Sequence, residues 1–208
     1  MDKFNLRYLK PNAYAVAVVL LAASLYFANK YSTNHWGISF SIFAIIGGAF
    51  AFINSYLWNI KPFCWLYSVP DFSGRYEGTL SYKYRDDNCT EVSSSMTHIK
   101  VITQNGSDIV INSWTRKKNG SMSSPSTSIE ASIVKIKDGT FSLIYNYLNE
   151  GNGELEFSPH YGTEVLKLIT TKSNKKHLIG RYYTERLPYQ TMGKIDLEYK
   201  SKDLTHEK

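Results

Sequence analysis

Two long apolar runs open the chain, and the pattern after them alternates. Between Pro11 and Asn29 no charged residue occurs, and residues 13–28 are almost continuously apolar. At ~1.5 Å per residue a helix of this length reaches ~28 Å, close to the ~30 Å hydrocarbon core of a bilayer. Residues 36–58 form a second run with a tryptophan at each end, Trp36 and Trp58, as suits the membrane–water interface. The pattern predicts a helical hairpin over 1–62, with spans near 12–29 and 36–58 and a polar loop at 30–35. A signal peptide would account for the first run alone, but a second full-length run follows at once.

Past Pro62 and Pro70 the period drops to two. Tyr76, Gly78, Leu80, Tyr82 and Tyr84 occupy every second position, the mark of a half-buried strand. Further strands are predicted at 96–103, 108–116, 128–136, 141–147, 164–170, 178–185 and 195–199. Turn signals stand at Asn105-Gly106, Asn119-Gly120, Asp138-Gly139, Gly151-Asn152-Gly153, Tyr161-Gly162 and Met192-Gly193. About eight short strands in ~130 residues predict an antiparallel sandwich or closed barrel over 71–200, followed by a polar tail at 201–208. The expected fold class is a membrane-anchored all-β protein, two transmembrane helices preceding an eight-stranded antiparallel barrel.

Charge sharpens this division. Only four of the 24 Lys and Arg residues (Lys3, Arg7, Lys10, Lys30) and one of the 18 Asp and Glu residues (Asp2) lie in 1–60. Three basic residues before the first span, one between the spans, and Lys61 and Arg75 after the second place both termini in the cytosol, where Cys64 and Cys89 stay reduced. The net charge of +6 contains no long basic block, so neither DNA nor RNA is an expected partner. Small residues recur four apart in the second span, Ala44 with Gly48 and Gly47 with Ala51, a spacing that lets helices approach closely. Either the two spans of one chain pack on each other there, or spans of different chains do.

Catalytic chemistry is not legible. No phosphate-binding loop, nucleophile elbow, zinc-protease motif or CxxC pair occurs, and the five histidines are scattered. No catalytic or metal-ligating residue is assigned, and no cofactor is expected. Asp86-Asp87-Asn88 lacks the glycine and distal glutamate of a calcium loop and reads as a hairpin tip. The cluster at 172–176 reads as a solvated turn, or as a site for anionic lipid if it faces the membrane. The abundance of Tyr, Ser, Thr and Asn with a few Arg suits a pocket that stacks bases and holds phosphates.

Several strings, taken in order behind the hairpin, resemble the two-transmembrane, β-strand-rich effectors of bacterial CBASS anti-phage systems. Phe72-Ser73-Gly74-Arg75-Tyr76-Glu77-Gly78 opens the first strand in the family's G-x-[WY]-x-G manner. Ile102-Thr103-Gln104 follows, then the spaced hydroxyls between Thr115 and Ser123, then Tyr145-Asn146-Tyr147-Leu148-Asn149-Glu150. His160-Tyr161-Gly162-Thr163, the run from Leu178 to Arg186, and Gly193-Lys194-Ile195-Asp196-Leu197 complete the series. Gly151 departs from the pattern, which leads one to expect a proline there. The resemblance implies a receptor without catalytic activity. Its barrel would bind a cyclic dinucleotide made by a cognate nucleotidyltransferase (CD-NTase), and binding would drive homo-oligomerisation and disruption of inner-membrane lipid.

The candidate ligand-binding residues are Trp114, Thr115, Ser121, Ser123, Asn149, Tyr183 and Arg186. Each carries two readings. Arg186 could pair a phosphate or bond strand-end carbonyls; Trp114 and Tyr183 could stack on bases or simply pack. Thr115, Ser121 and Ser123 could line the mouth or form a serine-rich loop, and Asn149 with Glu150 could read a base edge or cap a loop. A lipocalin-like or fatty-acid-binding-like carrier is the alternative, and it would require an apolar lumen.

Overall fold

The computed structural model describes residues 7–116, 122–153, 158–171, 175–186 and 190–204. They divide into two compact units, one comprising the chain up to Val69 together with Asn105–Asp108, the other Pro70–Gln104 with the chain from Ile109 onward.

In the first unit, helix α1 (Pro11–Trp36) begins with Pro11, whose missing N–H is no loss in a first turn. It continues through residues 30–35, expected to be a loop, because polar side chains do not break a helix. The stop is Gly37, left-handed at φ 68°, whose N–H donates to the Thr33 carbonyl. Polar groups on the last turns then hold the connection: Asn29 Oδ1 accepts from Phe40 N–H at 2.9 Å, and Ser32 Oγ donates to the Ile38 carbonyl at 2.8 Å. Ser41 caps helix α2 (Ile42–Phe52), which runs on as a π-helical turn, Ile53–Leu57.

This corrects the expected second span of 36–58. Trp36 ends α1, residues 37–41 form the connection, and the helical part, 42–57, extends only ~24 Å, short of a hydrocarbon core. Among the described residues, helix α1 alone is long and apolar enough to cross a membrane, and only 6% of its most apolar stretch is buried. The tryptophans also part company, since Trp36 is exposed whereas Trp58 packs with Phe50, Leu66 and Tyr67.

Helix α2 meets α1 through Ile46, Phe50 and Ile53 rather than through its small residues. Ala44, Gly47, Gly48 and Ala51 are exposed, and a methyl group added at Gly47 or Gly48 would touch nothing within 4 Å. In the same unit Asn54 is buried in the π-helical turn. Its Oδ1 accepts from Ser107 Oγ at 2.8 Å, and its carbonyl accepts from Gly106 N–H at 2.9 Å.

The second unit is a closed barrel. Strands β1 (Gly74–Arg85), β2 (Glu91–Gln104), β3 (Ile109–Arg116), β4 (Met122–Lys135), β5 (Phe141–Asn149), β6 (His160–Thr170), β7 (Lys176–Thr184) and β8 (Met192–Ser201) pair antiparallel in sequence order, and β8 returns to β1. Closure leaves no free edge. The β1–β2, β3–β4, β5–β6 and β7–β8 connections share one end, the mouth. The chain approaches β1 at the other end, the base, where Phe72 is fully buried. Its N–H donates to Gln104 Oε1, and its carbonyl accepts from the Tyr76 hydroxyl. The tip at residues 86–89 is a hairpin turn held by Asp86 Oδ1, which accepts from the N–H of Asn88 and of Thr90.

Two expected turns, Tyr161-Gly162 and Met192-Gly193, lie within β6 and β8. Gly162 stands opposite Tyr147, and Gly193 stands opposite both Tyr82 and Tyr182. A Cβ on Gly162 would come within 2.3 Å of the Tyr147 ring, and one on Gly193 would strike the Ser81 carbonyl. These glycines let tyrosine rings lie across a neighbouring strand, a use of glycine that local sequence does not separate from a turn.

Candidate functional site

The barrel interior changes character from base to mouth. At the base, Ile102 pairs with Ile111, Leu143 with both Ile133 and Leu166, and Leu178 with Leu197; all but Ile133 are almost fully buried, as is Phe72. Above them lies one charged layer. Lys100 Nζ is 3.0 Å from Glu164 Oε2 and donates to the Tyr145 hydroxyl at 2.7 Å, and that hydroxyl donates to Glu164 Oε2 at 2.6 Å. Burial pulls the Lys100 pKa down while the adjacent Glu164 carboxylate holds it up. Burial and the same carboxylate raise the Tyr145 hydroxyl well above its ordinary value, and they raise Tyr147 and Tyr182 as well, so all three remain neutral donors.

Above this layer opens a cavity of about 410 Å³ at the mouth, within the range of small-molecule sites. Its walls are of two kinds. Tyr82, Tyr84, Tyr147 and Tyr182 supply aromatic faces, and Ser113, Thr115, Ser126, Thr184 and Asn149 supply hydroxyls and an amide. Arg186, just past β7, brings a guanidinium to the rim, and His98 borders the interior side. Burial and the positive charge of Lys100 push the His98 imidazole well below its usual pKa, so it is neutral at physiological pH. Among the described residues no group of three or more His, Cys, Asp and Glu comes together as a metal site would require.

Of the sequence-derived candidates, Thr115, Asn149 and Arg186 meet at this cavity. Asn149 does two things there: its Nδ2 donates to Ser126 Oγ at 2.9 Å, and its Oδ1 accepts from Gly151 N–H at 2.9 Å. Gly151 has φ 74°, which the proline expected by resemblance could not adopt.

Trp114 also borders the cavity, but its indole is buried with Ile99 and Val101, and the Arg75 guanidinium lies 5.8 Å from the ring centroid. Strand alternation turns Tyr183 to the outer surface, where it is half exposed beside Ile129 and Tyr161, and gives the inward position to Tyr182. Ser121 lies outside the described residues. Ser123 falls within β4, but its side chain is likewise outside the description. His160 borders the cavity, and Gly162 serves the Tyr147 packing described above.

Sequence reasoning missed His98, Glu164 and the inward tyrosines Tyr82, Tyr147 and Tyr182 as wall residues. The signal available for Tyr82 was the period-two run of β1, which places it on the same face as Leu80 and Tyr84.

Comparison with curated proteins gives no match. A family model does match: the one described as Cap15, cyclic dinucleotide receptor domain, aligns with residues 67–199. That stretch is more than half of the chain and takes in every residue named above as a wall of the cavity, so this chain belongs to the Cap15 cyclic dinucleotide receptor domain family.

Proposed function

We propose that the chain is a ligand-gated membrane effector of a CBASS anti-phage system, without catalytic activity or cofactor. Its ligand is a cyclic dinucleotide supplied by a cognate CD-NTase after infection. The observation that carries this reading is the mouth cavity, where tyrosine faces, hydroxyls and one guanidinium converge within the domain that defines the family. Arg186 contacts phosphate, and Thr115, Asn149 and the β3–β4 serines Ser121 and Ser123 supply polar contacts. Tyr82, Tyr147 and Tyr182 take the stacking role first sought in Trp114 and Tyr183. A carrier of apolar ligands is disfavoured because hydroxyls, the Asn149 amide and Arg186 interrupt the aromatic lining of the cavity.

Both termini lie in the cytosol and α1 spans the inner membrane, with the shorter α2 completing the hairpin. A two-helix hairpin encloses no aqueous path, so membrane disruption requires several chains. The exposed face of Ala44, Gly47, Gly48 and Ala51 supports assembly between chains, since α2 packs on α1 with other residues. Shifting a dispersed population from 1:99 to 99:1 takes ~5.5 kcal/mol of differential affinity, which several ligated barrels can share.

The test uses the full chain in dye-loaded vesicles, titrated with cyclic dinucleotides and, separately, with palmitate. A cyclic dinucleotide should bind, release dye and yield crosslinked oligomers. Arg186→Ala should weaken that binding by ~1.5–3 kcal/mol, as for a lost bond to a charged group. Gly48→Leu should bind normally yet release no dye. Binding of palmitate alone would make the protein a carrier.

A further inference from the structure

The proposed ligand leaves open which end of it lies deepest, and the polar groups at the cavity floor bear on that. His98 is 5% exposed, its ring borders the cavity, and neither Nδ1 nor Nε2 has a hydrogen-bond partner. Buried polar groups in native proteins are nearly always paired, and one left unpaired lowers stability, so an orphan on a cavity wall calls for a partner in the cavity. Rotation about the Cβ–Cγ bond is soft in histidine and swings a ring nitrogen toward the lumen without moving the ring centre.

Charge decides what that partner is. At this depth Lys100 is already engaged by Glu164 and Tyr145, and Glu164 itself lines the cavity. A phosphate driven to the floor would meet a carboxylate and a cation already paired. The guanidinium of Arg186 is on the rim, past the end of β7. The floor instead offers surroundings fit for a flat, neutral, polar group. Leu80 and Met96 are apolar, and Tyr147 and Tyr182 present rings. Thr115 stands directly across the ladder from His98, and Ser113 stands beside it across from Lys100. A neutral imidazole presents one N–H donor and one acceptor nitrogen, the groups that meet a base edge.

We propose that His98 reads the edge of one base of the bound cyclic dinucleotide at the cavity floor, so that base identity is selected there while the phosphates remain at the Arg186 rim. This rests on the cyclic dinucleotide reading above, and the experiment separates the two.

The full chain in detergent is titrated calorimetrically with 3′,3′-linked cyclic di-AMP, cyclic di-GMP, cyclic GMP–AMP and cyclic di-UMP. The unmodified protein should prefer one of these. His98→Leu should weaken that preferred ligand about 10- to 100-fold, the scale of a lost buried hydrogen bond, and leave the others nearly unchanged, so the preference collapses. His98→Gln, which retains a donor and an acceptor, should keep a preference but reorder it. Arg186→Ala should weaken all four by a common factor. Without ligand, His98→Leu should melt ~2–4 °C higher, because an unpaired polar group has been replaced by an apolar one.

Unchanged ligand ratios in His98→Leu overturn the proposal, as does a lowered melting temperature, which would make His98 a structural residue. Equal binding of all four by the unmodified protein also overturns it, while leaving the ligand class standing. Binding of none removes the ligand reading itself, and the assignment of His98 with it.

Discussion

The two halves of the barrel interior are built from the same eight strands and do opposite things. At the base, branched aliphatic side chains pair across the ladders and Phe72 is fully buried among them. At the mouth, glycines at 162 and 193 make room for tyrosine rings, and hydroxyls replace methyl groups along the wall. The Lys100–Tyr145–Glu164 layer separates them. The base therefore holds much of the fold's apolar free energy, which frees the mouth to stay hollow, lined by tyrosine rings and hydroxyls. In a barrel this small one half can be a receptor only because the other half is solid.

Removing the boundary should have the largest effect. Glu164→Gln keeps the shape and an acceptor for the Tyr145 hydroxyl but leaves the buried Lys100 ammonium without a counter-charge. Breaking a buried pair in this way costs about 3–5 kcal/mol, measurable by chemical denaturation. Adding Lys100→Met should recover most of that loss, because the lone charge is gone. The base comes next. Leu143→Ala should destabilise by about 2–5 kcal/mol through lost burial and a residual void, while the affinity of the folded fraction for ligand stays unchanged. Ser126→Ala at the mouth should show the opposite pattern, with weaker binding and a stability change within about 1 kcal/mol.

How much of this could be read from the chain depended on whether a strand buries one face or both. In β1, Leu80, Tyr82 and Tyr84 share a face and the alternation gave their common direction. In β2 the rule misleads: Ile99 and Val101 look like the inward set, yet they are buried with Trp114 while His98 borders the lumen. Polar residues inside and apolar residues outside invert the expected phase, and a one-residue shift exchanges the two faces. The same one-residue ambiguity separates Tyr183 from Tyr182. Thr115, Asn149 and Arg186 escaped it because they sit at strand ends, where loops gather at the mouth whatever the phase. The helix boundaries were misplaced for another reason: charge and polarity at 30–35 marked a change of surroundings, and only Gly37 marked a change of backbone.

The same inverted phase also appears as a pH dependence. Burial and the Lys100 charge hold the folded His98 pKa well below 6.5, whereas in the unfolded chain the imidazole titrates near its ordinary value. Below pH 6.5 the unfolded state therefore takes up a proton that the folded state refuses. Stability falls with decreasing pH, by up to ~1.4 kcal/mol per unit for this one group, and the group contributes nothing above that value. Hydrogen bonds from Lys175 and Lys200 pull Glu198 down to about 2, so its stabilisation is lost only as the pH drops from 4.5 toward that value. The interval from 6.5 to 4.5 isolates His98 from Glu198. Denaturation at pH 7.0, 6.0 and 5.0 should show a slope in the unmodified protein and a flatter line in His98→Leu. Equal slopes in the two would mean that the imidazole accepts its proton inside the fold, and that the wall between the hollow half and the packed half is wetter than its burial indicates.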